Sequence, residues 1–245
     1  MNSLYKEDLA YIHAAAFGGL AQGAAPEVLR LLNAAAIRIS RVVDVGCGAG
    51  PLTAALVQAG FDATGIDQSD ELLAIARASV PQARFMHNSI YAAEIPPCEA
   101  ILAVGEPLTY HDEGVDGDAL VKEFLERASD VLPSGGMLIF DVIELGEPSL
   151  AGRAWNSGDD WAVLVDTAEN QDSRTLVRDI QTFRRIDQLY RRGREVHRVR
   201  LFDSRTLLDQ LAACGFTAET TQAFGAQRLG PRRRAFICSR AGKST

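Results

Sequence analysis

The sequence predicts an α/β domain of three layers, in which helices cover both faces of a mostly parallel seven-stranded sheet. N-terminal helices precede the sheet and a small antiparallel β insertion interrupts it. Three observations carry this reading. Between Arg41 and Val142, short apolar runs alternate with segments of helical spacing. The runs Ala100 to Val104 and Met137 to Val142 are apolar throughout, as strands covered on both faces are. At about Glu144 the rhythm changes to segments in which polar and apolar residues alternate.

The elements follow in order. Lys6 to Phe17 carries Leu9, Ile12, Ala16 and Phe17 near helical spacing, and Gly18-Gly19 ends it. Pro26 suits the first turn of a second helix, whose apolar face is Val28, Leu31, Leu32 and Ala35. The run Val42-Val43-Asp44-Val45 ends in glycines, and Leu52 to Gln58 is helical. Ala63 to Ile66 and Arg84 to His87 are strands on either side of a helix from Ser69 to Ser79. Ala100 to Val104 is the fourth strand. Asp118 to Leu132 is an amphipathic helix stopped by Pro133-Ser134-Gly135-Gly136, and Met137 to Val142 is the fifth strand. Trp161 to Thr167, Thr175 to Arg185 and Glu195 to Phe202 read as antiparallel strands with one exposed face, Arg192-Gly193 marking a turn. Leu207 to Cys214 is a helix capped by Ser204 and stopped by Gly215, and Thr217 to Gln222 and Arg234 to Cys238 close the sheet. The organisation expected is a single domain over 1–245: N-terminal helices over 1–37, a core over 38–143, the insertion over 144–202, and a closing helix and strand pair over 203–245.

The chain has 245 residues, 47% hydrophobic and 23% charged, which is ordinary globular composition. No apolar run approaches the roughly 18 residues of a membrane span, and Met1 to Asp8 lacks the basic-then-apolar order of a secretory signal. A cytoplasmic location is therefore expected. Cys47, Cys98, Cys214 and Cys238 form no close pair and the four histidines are equally dispersed, so reduced buried thiols and no metal site are expected. Charge is uneven. Residues 1–150 hold 8 basic and 21 acidic side chains, a net of −13, whereas residues 151–245 hold 17 and 11, a net of +6.

The chemistry concentrates at Asp44-Val45-Gly46-Cys47-Gly48-Ala49-Gly50. A tight turn from strand to helix needs residues that tolerate positive φ and leave no Cβ in a ligand's way, and it places that ligand at the carboxyl ends of the strands. A dinucleotide-binding turn starting at Gly46 would need glycine where Pro51 stands, and has no use for Asp44 within the strand. The motif resembles the first motif of the class I S-adenosylmethionine-dependent methyltransferases, whose fold is Rossmann-like. Thr64-Gly65-Ile66-Asp67-Gln68-Ser69 and Leu132-Pro133-Ser134-Gly135-Gly136 extend the similarity over roughly residues 40–142 and the closing strand pair. The resemblance implies S-adenosylmethionine as cofactor and S-adenosylhomocysteine as product. It implies that Asp44 supports the glycine loop and the cofactor's amino group, and that Gly46, Gly48 and Gly50 let the backbone approach the methionine portion. Cys47 is then a lining residue and no nucleophile. Asp67, with Gln68 beside it, falls where the family holds both ribose hydroxyls. A carboxylate suits that work because it accepts two charge-assisted hydrogen bonds at once. Asn88, Ser89 and Ile90 fall at the adenine, where the family's usual acid is missing, so backbone groups and Ser89 are expected to serve. Gly105 and Glu106 fall beside the sulfonium.

Methyl transfer from a sulfonium needs the acceptor held in line with the methyl, and a general base only where the acceptor arrives protonated. Glu106, Tyr110 and His111 follow the fourth strand and are the catalytic candidates. Enzymes of this kind that act on small molecules fold an N-terminal helix over the cofactor as a lid, which makes Tyr11, His13 and Phe17 lid candidates. Trp155 and Trp161 are candidate walls of an acceptor pocket. The acceptor expected is a small molecule with an O or N nucleophile. The alternatives are an RNA or protein substrate docked on the ten arginines between Arg174 and Arg205, or a cofactor-binding protein without turnover. Acids interspersed among those arginines, and the acidic first 150 residues, weigh against nucleic acid. The exposed insertion strands offer either a homodimer interface or a pocket cover.

Overall fold

The structure, a computed structural model, describes residues 4–242; the outermost residues of the first and last expected segments, 1–3 and 243–245, lie outside them. Helices α1 (Glu7–Ala16) and α2 (Gly19–Asn33) open the chain, followed by β1 (Arg41–Val45), α3 (Pro51–Gln58), β2 (Asp62–Asp67), α4 (Asp70–Ser79), β3 (Arg84–His87) and β4 (Ala100–Ala103). A single 3₁₀ turn (Pro107–Thr109) leads to α5 (Gly117–Val131) and β5 (Met137–Ile143). Then come β6 (Gly152–Ser157), β7 (Trp161–Asn170), β8 (Thr175–Ile186), β9 (Leu189–Arg200) and α6 (Ser204–Ala213). The chain ends with β10 (Phe216–Thr221), the two-residue strands β11 (Ala223–Phe224) and β12 (Gln227–Arg228), and β13 (Arg233–Arg240).

The main sheet has seven strands in the order β10-β13-β5-β4-β1-β2-β3. The five from β5 to β3 run parallel, and β13 pairs antiparallel with both β5 and β10. Alternation along the buried strands divides the core. Ile101 and Ala103 of β4 and Leu138, Phe140 and Val142 of β5 pack with α5 and α6. Leu102 and Ile139, from the same strands, pack with α2 and α3 on the other face. Each strand thus buries both faces, which is why its sequence shows no polar side.

A separate four-stranded antiparallel sheet, β6-β7-β8-β9, stands between β5 and α6. It is sutured to the main sheet by Phe202, whose amide donates to Ile143 and whose carbonyl accepts from Leu145, at 2.9 Å each. Arg232 and Glu169, 4% and 3% exposed, form a buried ion pair that holds the base of the insertion to β13. Its inner face meets α1 through Trp161, Val163, Ile180, Leu9 and Ile12.

Three local expectations are corrected, and one strand had not been expected. Helix α2 begins at Gly19, so Pro26 lies inside it; burial of Ala24, Ala25, Val28 and Leu32 carries the helix through the missing amide bond. The β8–β9 turn is not at Arg192-Gly193 but at Asp187-Gln188, where Ile186 pairs with Leu189. Gly193 sits inside β9 opposite Thr182, and a Cβ there would lie 2.5 Å from the Thr182 hydroxyl oxygen, so its glycine marks a close approach. The cap of α6 is Asp203, whose carboxylate accepts from the Thr206 amide at 2.8 Å, while the Ser204 hydroxyl donates to Glu144. Strand β6 escaped sequence reading because all six of its residues are exposed and no alternation marks it.

Candidate active site

Strands β2 and β4 flank β1 on opposite sides, so the chain connections diverge at the carboxyl ends of β1 and β4 and leave a crevice there. The glycine turn fills its floor. Gly46 has φ 68°, and a Cβ on it would lie 2.2 Å from Cβ of Pro107, the first residue of the 3₁₀ turn after β4. Only glycine lets the two loops approach this closely. The amides of Gly46 and Cys47 both donate to the Ile66 carbonyl, at 2.7 and 3.2 Å, which ties the turn to the end of β2.

Asp67 ends β2, and its carboxylate accepts from the amides of Gly48 and Ser69, both at 2.9 Å. Burial raises its pKa, and the amides of Ser69 and Gly48 oppose the rise. Asp44 stands behind the loop. The Thr53 hydroxyl of α3 donates to it at 2.6 Å, and burial pushes its carboxyl up to about 7 despite that bond. Cys47 is buried and its thiol is held well above the ordinary range, first by burial and then by Asp44 and Asp67, so it is no nucleophile.

Loop 105–111 forms the other half. The Gly105 and Glu106 amides donate to Asp141 of β5, at 2.6 and 3.3 Å. Glu106 adopts φ 62° in the left-handed region and is 6% exposed. Its carboxylate meets Arg178 of β8 at 2.7 Å and Arg233 of β13 at 3.2 Å. Burial works against its charge, but Arg178 and then Arg233 hold its pKa below the usual carboxylate range. Tyr110 forms a bridge to Val199, and the His111 amide donates to the Arg198 carbonyl at 3.3 Å, so this loop extends the edge of β9. Arg178 Nη1 also donates to the Tyr110 hydroxyl at 3.3 Å, and the Tyr5 and Tyr110 hydroxyls lie 3.1 Å apart. His111 Nδ1 is 2.9 Å from the Asp112 carbonyl, which makes Nδ1 the donor; Nε2 is buried with no hydrogen-bond partner among the described residues.

The two halves enclose one cavity of about 840 Å³, within the size range of small-molecule sites. From the cofactor candidates its wall takes Gly46, Cys47, Gly48 and Gly50, then Asp67 and Gln68, then Ser89, Ile90 and Gly105. Glu106, Tyr110, His111, His13 and Phe17 also line it. Five expected residues do not. Asp44 is buried behind the turn, and the exposed Asn88 is fixed by its backbone amide on the Asp67 carbonyl at 2.9 Å. Tyr11 gives its hydroxyl to Asp160 at 3.0 Å and its ring to Arg184, 3.7 Å away, which fastens α1 to the insertion. Trp161 is buried against Leu9 and Ile12, and Trp155 is 77% exposed, because alternation on β6 turns its neighbour Ala154 to the cavity instead.

Tyr5, Arg178, Arg198 and Arg233 line the cavity without having been singled out from sequence. For Arg178 a signal exists. It stands two residues from the buried Leu176 and Ile180 and four from Thr182 on β8, so it lies on that strand's inward face, where an arginine needs a partner. Of the ten arginines between Arg174 and Arg205, Arg178 thus belongs to the cavity and not to a docking surface, its side chain being 23% exposed. Tyr5 precedes the first helix and carries no such mark.

The cavity fits S-adenosylmethionine. A Cβ on Gly48 or Gly105 would meet nothing within 4 Å, which leaves open space above both loops, with a buried carboxylate beside them. The family model described as "Methyltransferase domain" matches residues 42–136. The Bacillus subtilis (strain 168) protein named "Putative methyltransferase YqeM" is 26% identical over 186 residues, 72% of this chain and 73% of that one. A Geobacillus sp. (strain WCH70) relative named as a methyltransferase is 31% identical over 107 residues, but only 42% of either chain is matched. In fold, this chain is similar to an S-adenosylmethionine-dependent methyltransferase from Clostridium acetobutylicum ATCC 824, with a TM-score of 0.79, 17% identity, and 95% of this chain and 98% of that one covered. It is also similar to the sugar N-methyltransferase KedS8 from Streptoalloteichus sp ATCC 53650, with a TM-score of 0.78, 20% identity, and 99% and 94% covered. Motif, fold and family match agree: residues 42–136 match a methyltransferase domain, the chain has the fold of the S-adenosylmethionine-dependent methyltransferases, and the cavity fits S-adenosylmethionine.

Proposed function

We propose that this protein transfers a methyl group to an O or N nucleophile of a small molecule. The observation that carries the reading is that the glycine turn with Asp67 and the loop with Glu106, Tyr110 and His111 line one shared cavity, roofed by the insertion sheet through Val165, Val196 and Arg178. When bound, S-adenosylmethionine supplies an electrophilic methyl that an acceptor lone pair takes by in-line displacement, the sulfonium leaving as the thioether. Asp67 and Gln68 would hold the ribose, the glycine turn would let the backbone lie close against the methionine portion, and Ser89 and Ile90 would flank the adenine. His111 Nε2 takes the proton of an acceptor that arrives protonated, and Tyr110 orients the acceptor. Glu106 keeps Arg178 and Arg233 in place and moves no proton, because both its oxygens are committed to guanidiniums.

KedS8, a sugar N-methyltransferase, and CalS10, an amino pentose methyltransferase of similar fold, support a small polar acceptor. The charge distribution supports it against nucleic acid. Arg191 pairs with Glu7 and Asp8, Arg194 with Asp179, Arg198 with Glu113 and Arg200 with Asp118, so much of the basic second half is neutralised. The test is filter binding and methyl transfer with bulk RNA at several salt concentrations, beside a panel of hydroxyl and amine metabolites. The reading predicts turnover on a metabolite and only nonspecific RNA binding. Tight binding with a steep salt slope, about −0.7 per neutralised phosphate for single strands, abolished by replacing Arg191, Arg192 and Arg194 together with alanine, would overturn it.

A further inference from the structure

The insertion does more than roof the cavity, because one of its carboxylates grips the start of the chain. The amide of Tyr5 donates to Glu195 Oε2 at 2.8 Å, and the next amide, Lys6, donates to Glu195 Oε1 at 2.9 Å. His197 Nε2 lies 3.0 Å from the same Oε2, and a carboxylate can only accept, so that nitrogen is the donor. Two successive backbone amides on the two oxygens of one carboxylate fix both the position and the direction of the segment. Tyr5 itself adopts φ 55°, a conformation that a bulky residue holds only when its surroundings over-determine it. A third bond sets the far side, as the Ser69 hydroxyl donates to the Tyr5 carbonyl at 2.8 Å.

The consequence falls on the cavity. Ser69 also gives its amide to Asp67, so the segment spans from the cofactor carboxylate of β2 to the insertion strand β9. Held this way, the Tyr5 ring packs edge-on against His13 and His197, both at 4.9 Å, and its hydroxyl reaches that of Tyr110. Leu4 and Tyr5 are therefore part of the cavity wall. We infer that Glu195 is a positioning residue: it latches the segment Leu4–Lys6 across the cavity and thereby sets Tyr5 against Tyr110, so the acceptor wall is complete only while the latch is closed. Cofactor exchange requires it to open. The inference rests on the methyltransferase reading of the cavity and deepens it.

The experiment measures S-adenosylhomocysteine dissociation by displacement with excess S-adenosylmethionine, together with hydrogen exchange of the Tyr5 and Lys6 amides, in the full chain. Glu195→Gln keeps one acceptor oxygen and turns the other into a donor facing an N–H, so one of the two amide bonds is lost. Dissociation should speed by about tenfold, the worth of one hydrogen bond near 1.4 kcal/mol, and exchange of the two amides should rise while that of the β9 amides holds. Glu219→Gln makes the same change at an exposed position of β10 outside the cavity wall and should release S-adenosylhomocysteine at the wild-type rate. Dissociation within twofold of wild type in both Glu195→Gln and Glu195→Ala, with Tyr5 and Lys6 still protected, would overturn the latch. A wild-type chain that binds no S-adenosylhomocysteine would instead overturn the reading of the cavity beneath it.

Discussion

Replacing Asp67 with asparagine separates two tasks, holding the turn and, in the proposed function, holding the ribose. Its oxygens accept from the Gly48 and Ser69 amides at 2.9 Å each, in a position only 7% exposed. Whichever way the new amide turns, one of the two N–H groups faces a donor. A buried N–H without a partner costs about 1–3 kcal/mol. Against that, the variant no longer buries a charge, and burial is the first cause of the raised Asp67 pKa. The two effects oppose each other, so stability should fall by about 1 kcal/mol, roughly 2–4 °C in Tm for a chain of this size. The ribose hydroxyls, by contrast, lose a charged acceptor worth about 1.5–3 kcal/mol, which is roughly 10- to 150-fold in affinity. Calorimetry with S-adenosylhomocysteine on wild type and Asp67→Asn, with Tm measured on the same samples, reads both. Affinity within about twofold of wild type, with Tm unchanged, would remove Asp67 from the cofactor and refute the reasoning.

His13 predicts a pH dependence. Burial first, and then His197, lower its pKa from the ordinary 6.5 to about 4. Folding therefore favours the neutral ring, and its contribution is present above pH 6.5 and lost as pH falls toward 4, amounting to about 3 kcal/mol. Urea unfolding across that window should show the loss in wild type and a flatter profile in His13→Asn. Gly46→Ala should abolish S-adenosylhomocysteine binding in calorimetry, because its Cβ would fall 2.2 Å from Pro107, and Pro107→Gly in the same chain should restore part of it. Arg232→Met takes the guanidinium from the Glu169 carboxylate, which keeps the Leu150 amide, the Ser149 hydroxyl and Gln171 as donors, and should cost about 1.5–3 kcal/mol in denaturant unfolding. Cys47→Ala should leave methyl transfer from labelled cofactor within about twofold of wild type, since a thiol held well above its ordinary pKa does no nucleophilic work.

The parallel core was legible because burial on both faces writes itself into composition. Ala100–Ala103 and Met137–Ile143 are buried at every position, and their bounds lie within one residue of the expected ones. Register-free features were harder. Nothing in Gly152–Ser157 distinguishes a strand whose six residues are all exposed from a loop. Arg192-Gly193 imitates a turn, because glycine serves close packing beside Thr182 as readily as it serves positive φ. At the cavity, the glycine turn and Asp67 could be placed from local spacing, since both belong to one strand-turn-helix unit and its neighbour. Arg178, Arg233 and Tyr5 come from β8, β13 and the segment before α1, and only the pairing of distant strands brings them to Glu106 and Tyr110. Trp155 and Trp161 show the limit from the other side. Aromatic size alone says nothing about which face of a strand a residue takes, and neither ring lines the cavity.

The central claim is that cofactor and small acceptor meet in one cavity, and partition of a transferred label tests it most directly. The protein is incubated with methyl-labelled S-adenosylmethionine and a mixed extract, which is then separated into low-mass, RNA and protein fractions, with Asp67→Asn run in parallel. The account predicts enzyme-dependent label in the low-mass fraction, apart from the cofactor and its breakdown products, and a matching drop with Asp67→Asn. Label recovered in RNA or protein with none in the low-mass fraction would contradict it.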